Sequence, residues 1–273
     1  MRGVRLLDHL KALGHGNRDA RALLSSGKVW LRGCPTGDAG REVEPAEVEI
    51  RLSAPKMVMG RDPIVLWRDT NLMIVWKPSG LLSVPAPHRD DESNLLAWVG
   101  KRFGSAFPVH RLDEGTSGCM MVALKVGAQE ALKDLLERHA IERHYLAIVH
   151  GDFRHTMTMR NLLVRDRGDG RRGSGFDGKP AVTHLRPIEA LRGATIVGAQ
   201  LETGRTHQVR IHLSELGHPV FGDDLYGGAR GGRLALHASH LAFVHPFTKA
   251  PIEVHSPLAD DLEALRRSLL LPR

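Results

Sequence analysis

The chain has 273 residues, 42% apolar and 25% charged, which is the make-up of a globular protein with one large domain or a small one beside a larger. Its net charge of +7 is compatible with a polyanionic partner. The two cysteines, Cys34 and Cys119, lie far apart without CxxC spacing, which argues against a disulfide scaffold or thiolate zinc site and fits a reducing compartment.

In MRGVRLLDHLKALG, charges interrupt the apolar pattern, so the segment does not read as a signal peptide. No later run reaches membrane-spanning length, and a cytoplasmic monomer with no membrane partner is expected. Residues 1–52 read as a compact module. Leu6, Leu7, Leu10 and Leu13 recur at helical spacing before Gly14 and Gly16. A second helix, Arg18 to Ser25, stops at Gly27, and the strands KVWLRG and EVEIRL follow. Arg18, Arg21, Lys28 and Arg32 crowd the helix–turn–strand part while acids gather from Glu42 to Glu49, a distribution that leans toward phosphate contact.

SAPKMVMG, residues 53–60, reads as a linker to a second unit spanning 61–273. There IVLWRD and LMIVWKP look like paired strands, AQEALKDLLERHA like an amphipathic helix, and ERHYLAIVHG and ATIVGAQLETG like strands. Residues 152–180 read as an arginine-rich loop. THQVRIHLSELG reads as a short helix with Thr206 as N-cap and Val209, Leu213 and Leu216 as its buried stripe.

The stretch HRLDEGTSG, residues 110–118, runs straight into the apolar CMMVAL. Asp113 fits two readings: a turn carboxylate capping the backbone of the residues after it, or a carboxylate prepared for nucleophilic attack. The second needs a cation. Arg205, between a strand end and a helix start in LETGRTHQVRIHL, is the one this reading selects. Tyr145, one of two tyrosines, offers a flat ring for a nucleobase and a phenol for proton transfer. No metal site is expected: there is no HExxH, His207 and His212 are five apart, and His237, His240, His245 and His255 read as a strand–loop region with backbone-bonding and packing roles and no acidic ligand among them. YGGARGG lacks the GK[ST] of a phosphate loop.

Taken together these segments resemble the RluA-type pseudouridine synthases. HRLDEGTSG matches that family's HRLDxxTSG pattern, and WKPSGLLSVPA, HYLAIVHG, GKPAVTHL, LETGRTHQVRIHLSELGHPVFGDDLYG and RLALHASHLAFVHPFT follow in the family's order over residues 61–258. NRDARALLSSGKVWLRG with GREVEPAEVEI resembles the S4 RNA-binding module. The resemblance implies an α+β catalytic domain, with a mixed, largely antiparallel sheet flanked by helices, behind a small α/β S4-like module. It implies a uridine-to-pseudouridine isomerase acting on structured RNA, ribosomal RNA ahead of tRNA, without cofactor. Asp113 would be the nucleophile, Arg205 its ion-pair partner and Tyr145 the active-site tyrosine. Arg111 would enter the RNA, and His110, Arg18, Arg21, Lys28, Arg32 and Lys179 would contact it. His110, Thr116 and Ser117 would also hold the loop of Asp113. Arg143 stands where the family often has lysine.

Two rival readings are a non-catalytic RNA-binding or assembly factor and a carboxylate-dependent glycoside or nucleoside hydrolase. The second needs two carboxylates flanking the bond, and the only obvious second acid near Asp113 is Glu114.

Overall fold

The computed structural model describes residues 4–25, 28–31, 34–35, 42–50, 62–86, 93–228 and 232–270. Arg32 and the linker 53–60 lie outside them. The N-terminal part holds strand β1 (Val4–Arg5), helices α1 (Leu6–Ala12) and α2 (Asn17–Ser25), strands β2 (Val29–Leu31), β3 (Cys34–Pro35) and β4 (Glu42–Val43), a 3-10 turn, and β5 (Val48–Ile50). Leu6, Leu10, Ala20, Leu24, Val29 and Val43 close a core of their own. Leu6 and Leu10 come from the expected helical stripe, whereas Leu13 falls just past the helix end and is exposed. Arg18 and Arg21 sit on the exposed side of α2, and Lys28 is half-buried.

The remainder is built on one sheet. Its strands are β6 (Ile64–Arg68), β7 (Leu72–Lys77), β8 (Phe107–Pro108), β9 (Ser117–Ala123), β10 (Ile141–His150), β11 (Met157–Val164), β12 (Gly173–Ser174), β13 (Lys179–Leu191), β14 (Ala194–Leu201), β15 (Leu236–Val244) and β16 (Pro251–His255). The helices are α3 (Leu95–Phe103), α4 (Val126–Glu137), α5 (Gln208–Glu215) and α6 (Asp260–Ser268). The strand order is β12-β11-β13-β14-β10-β15-β9-β7-β6, with β16 on β15 and β8 on β9. All these pairings are antiparallel except β9 with β15. The architecture is the mixed, largely antiparallel α+β sheet that the sequence motifs imply.

The apolar runs of β7 and β9 are buried along their whole length because both faces of the sheet are covered there. Leu72, Ile74 and Trp76 join the main core with Ala128 and Leu132 of α4; Met73 and Val75 face the other way, onto Leu95 and Val99 of α3. Each such side chain contributes roughly 1.5–3 kcal/mol of transfer free energy.

Two expectations are corrected. Residues 152–180 are not simply loop: β11 and β12 run through them, β11 pairing with β13 from Met157↔Leu185 to Leu163↔Lys179. The alternation of TMTMRNLLV is a half-exposed strand pattern that the surrounding arginines obscure. Thr206 is not the N-cap of α5. That position belongs to His207, held at φ 60° with no side-chain cap bond. The turn is closed instead by Gln208, whose Oε1 accepts from Arg205 N at 2.9 Å and Thr203 Oγ1 at 2.8 Å. Helix α5 is also buried beyond a stripe, since Gln208, Arg210, Ile211 and His212 are enclosed along with Val209 and Leu213.

Gly118 fixes where the HRLDEGTSG loop ends. Its φ is +113°, and a Cβ there would lie 2.1 Å from the Ala238 carbonyl oxygen. Only glycine lets β9 approach β15 in the parallel pairing of Gly118 with Ala238. Gly115 has no such positive φ. Its constraint is the Leu234 side chain, 3.0 Å from where a Cβ would stand.

Candidate active site

Asp113 lies at the start of a turn closed by its own carbonyl, which accepts from Thr116 N at 3.0 Å. The backbone therefore makes the turn without the carboxylate, and the capping reading fails. Three residues of KPSGLLS clamp this loop from one side. Lys77 Nζ donates to the carbonyls of Pro78, Leu81 and Glu114 at 2.9, 2.7 and 3.1 Å. Ser79 Oγ donates to Gly115 O at 2.8 Å, and Ser83 Oγ both donates to Leu112 O and accepts from Leu112 N. Lys77 is fully buried, and burial, then the nearby Arg233, pushes its pKa down to about 7 against the weaker pull of Asp113 and Glu114.

From the other side, Ser117 Oγ accepts from Arg233 Nη2 at 2.7 Å and meets His237 Nδ1 at 2.8 Å. Burial, then Arg233, lowers the His237 pKa to about 4, so its ring is neutral and Nδ1 accepts the seryl proton. His110 is likewise a loop holder. Its Nε2 accepts from Met121 N at 3.0 Å, which puts the ring proton on Nδ1, and burial, then Arg143, drops its pKa to about 3. His110 also lines the cavity that Asp113 borders.

The freed carboxylate finds a guanidinium from α5, but not the expected one. Arg210 Nη1 donates to Asp113 Oδ2 at 3.0 Å. Arg205 instead points outward, its Nε donating to Pro180 O at 2.9 Å. Arg210 is held from behind by Asp223, through Nε to Oδ2 and Nη2 to Oδ1, both 2.7 Å. Burial alone would lower the Arg210 pKa; the bonds and charge of Asp223, then Asp113, reverse this and raise it. Asp223, which sequence reasoning missed, is fully enclosed, and its Oδ1 also accepts from Leu225 N and Tyr226 N. It is a second carboxylate near Asp113, yet both oxygens are engaged. Glu114, the second acid foreseen, is exposed.

His207 Nε2 stands 3.8 Å from Asp113 Oδ1 and its Nδ1 is 3.0 Å from the Tyr226 hydroxyl. Burial outweighs the pull of Asp113 and lowers its pKa, so the contact is not an ion pair at neutral pH.

Asp113 and Arg210 border a cavity of about 490 Å³ that also exposes Tyr145, Arg143, Thr116 and Arg111. This is within the usual range of ligand sites, about 300–1,000 Å³. Burial raises the Tyr145 pKa to about 12 despite the opposing charge of Arg143, so the phenol keeps its proton. Arg143 is buried and donates Nη2 to Glu202 O at 2.9 Å, and its Nε has no partner among the described residues. The Thr116 hydroxyl is equally unpartnered. Arg111 is exposed at the rim. A second hollow, lined by Arg165, Arg172, Lys179 and Arg205, adjoins the first along Gly204 and Arg205.

The histidine expectation also changes. Glu253, which precedes His255 by two residues in PIEVH and was overlooked in the sequence reading, stands 3.1 Å from Nε2 of both His240 and His255.

The sequence was compared with known proteins. A profile described as RNA pseudouridylate synthase matches residues 71–215. The ribosomal large subunit pseudouridine synthase D of Xanthomonas campestris pv. campestris is 35% identical over 266 residues, covering 85% of this chain and 77% of its own. The uncharacterized RNA pseudouridine synthase YlyB of Bacillus subtilis is 35% identical over 270 residues, covering 90% and 87% respectively. The solved structure of human RNA pseudouridylate synthase domain containing 1 aligns with a TM-score of 0.62 at 26% identity, over 78% of this chain and 98% of that one.

Proposed function

The chain belongs to the RNA pseudouridylate synthase family, and from that premise we propose that it isomerises uridines of large-subunit ribosomal RNA with Asp113 as nucleophile. The observation that carries the reading is the Asp113–Arg210 pair, 3.0 Å apart, at the wall of a cavity shared with Tyr145.

The reaction breaks the C1′–N1 bond, turns the uracil and joins C1′ to C5. The pyrimidine keeps its atoms except that the C5 hydrogen leaves as a proton while N1 gains one. The Asp113 carboxylate attacks the bound nucleotide, and a single guanidinium fixes the direction of the attacking oxygen. Arg210 can do this because Asp223 holds it rigid by two charge-assisted bonds. A protonated Tyr145 supplies a ring face against the uracil and an O–H donor rather than a base. Thr116 and Arg143 line the cavity with an enclosed hydroxyl and an enclosed Nε that have no partner among the described residues, and these are the donors assigned to the substrate's polar atoms. Extruding the uridine costs a few kcal/mol, which insertion of Arg111 and phosphate contacts along Arg165, Arg172, Lys179 and Arg205 offset. Residues 1–52, with Arg18, Arg21 and Lys28, act as an S4-like module on the same RNA, and the site of action is the cytoplasm.

The choice of ribosomal RNA follows the names of the curated relatives at about one-third identity. Asp113→Asn tests the mechanism: tritium release from RNA labelled at uracil C5 should fall to background while RNA binding is retained. Wild-type turnover in that variant, or free uracil among the wild-type products, overturns the proposal.

A further inference from the structure

Three histidines stand in a row across adjacent strands on the sheet face opposite the cavity. His144 of β10 pairs in register with His240 of β15, and His240 with His255 of β16. Their neighbours in sequence point inward: Tyr145 and Arg143 to the cavity, Leu241 and Val254 to the main core. Carboxylates occupy the adjoining row on the same outer face, Glu142 on β10 and Glu253 on β16, both opposite Ala242.

The donor atoms fall into two overlapping groups that share His240: Glu142, His144 and His240, and His240, Glu253 and His255. Within each group they lie within 4.8 Å of one another. The second group is the tighter. Nε2 of His240 and Nε2 of His255 are each 3.1 Å from Glu253 Oε1, whereas His144 Nε2 is 3.6 Å from Glu142 Oε2. Glu253 is one-third exposed and Glu142 63% exposed, so less side-chain freedom is lost by fixing Glu253. Donors in a tetrahedral zinc site with bonds of about 2.0–2.1 Å sit about 3.3 Å apart, close to the 3.1 Å between Glu253 Oε1 and each imidazole nitrogen. The side chains are 13%, 33% and 18% exposed, open enough for an ion to enter yet carried by paired strands that hold their positions.

We infer that His240, Glu253 and His255 form a binding site for a divalent transition ion of the zinc class, with solvent completing its coordination. Two imidazoles and one carboxylate suit zinc, cobalt or nickel rather than the all-oxygen shells of magnesium or calcium. The site is unconnected with the isomerisation, which needs no metal in the scheme above. Its consequence is mechanical. β16 is bonded only to β15 among the described strands, and an ion bridging them pins β16 to β15, which in turn pairs with the strand carrying Tyr145.

The test uses the full-length chain without a histidine tag, titrated with Zn²⁺ against a chromophoric chelator and with Co²⁺ followed by visible absorption. The wild type should bind one equivalent with the intense band of four- or five-coordinate cobalt, and Zn²⁺ should raise its melting temperature. Glu253→Gln, which keeps the side-chain size, and the double change H240A/H255A should weaken binding by about tenfold or more and abolish the melting shift. The metal-free melting curve of Glu253→Gln checks that the fold is retained. Equal Zn²⁺ affinity in all three proteins, or only the weak spectrum of hydrated six-coordinate cobalt, overturns the site and leaves a hydrogen-bonded His–Glu–His cluster.

Discussion

Replacing Arg210 by lysine keeps a positive charge but removes the fork that serves two carboxylates at once. In the native site three charge-assisted bonds radiate from one guanidinium, two to Asp223 and one to Asp113. A lysine ammonium is a single point on a flexible stem and reaches one carboxylate well. It should settle on Asp223, because Asp223 is fully enclosed and an unpaired buried carboxylate costs about 3–5 kcal/mol. Asp113, whose side chain is 18% exposed, then loses its bond. A bond to a charged group is worth about 1.5–3 kcal/mol, and at about 1.4 kcal/mol per decade its loss lowers turnover about 10- to 100-fold. The second lost bond to Asp223 lowers unfolding stability by a similar about 1.5–3 kcal/mol. Tritium release from C5-labelled RNA measures the first effect and urea denaturation the second. Arg205→Ala, which removes only the bond to Pro180 O, should leave turnover within about threefold and act mainly through RNA affinity. If Arg210→Lys turns over like the wild type, or if Arg205→Ala proves the more damaging to turnover, the assignment of the pair is wrong.

Three further outcomes are expected. Lys77 has a folded pKa of about 7 against 10.5 unfolded, so above pH 7 the unfolded chain holds the extra proton and stability rises with pH across that window. The stability difference between wild type and Lys77→Met should therefore grow by roughly 2–3 kcal/mol from pH 7 to 9, and a flat difference by urea titration would mean that the three acceptor carbonyls keep the ammonium charged throughout. Gly118→Ala should give insoluble or unfolded protein, since its methyl would stand 2.1 Å from Ala238 O; a soluble variant with native circular dichroism would show that β9 and β15 do not meet there. Thr116→Val should cost less than about 1 kcal/mol of stability, because its hydroxyl has no partner to lose, yet it should raise KM for RNA; unchanged kinetics would mean the hydroxyl faces no substrate atom.

Much of the fold was legible because its signals are local. The β6–β7 pair, α4, β10 and β14 follow from apolar runs and periodicity. β11 was hidden because the arginines that suggest a loop flank it and one, Arg160, lies on its outward side, while the strand it pairs with, β13, begins only at Lys179, beyond an intervening turn. The N-terminal helices were readable from their leucines, but the end of α1 at Ala12 left Leu13 outside the stripe it completes in sequence.

The loop of Asp113 was legible in the sequence and the guanidinium that meets it was not, and the reason lies in α5. A stripe of Val209, Leu213 and Leu216 places Arg210, the residue beside Val209, on an outer face, whereas Arg205 stands at the strand–helix junction that the sequence reading selected. That inference assumes a helix with one side in water. Here α5 is enclosed on several sides, and its polar residues each meet a fixed partner: Gln208 meets Thr203 and Thr183, Arg210 meets Asp223 and Asp113, and His212 meets Asn161. The signal that was available is Asp223, thirteen residues on, in the GDDLYG turn: a buried cation has to be balanced, and the acid that balances it follows in the same loop. Around Asp113 the same logic separates structure from chemistry. The groups that hold its loop, Lys77, Ser79, Ser83, Ser117 and His237, bond to protein atoms, while Thr116 Oγ1 and Arg143 Nε, enclosed in residues that line the cavity, have no partner among the described residues. A buried donor left unmade costs about 1–3 kcal/mol, a cost that a bound substrate would offset by supplying the partner.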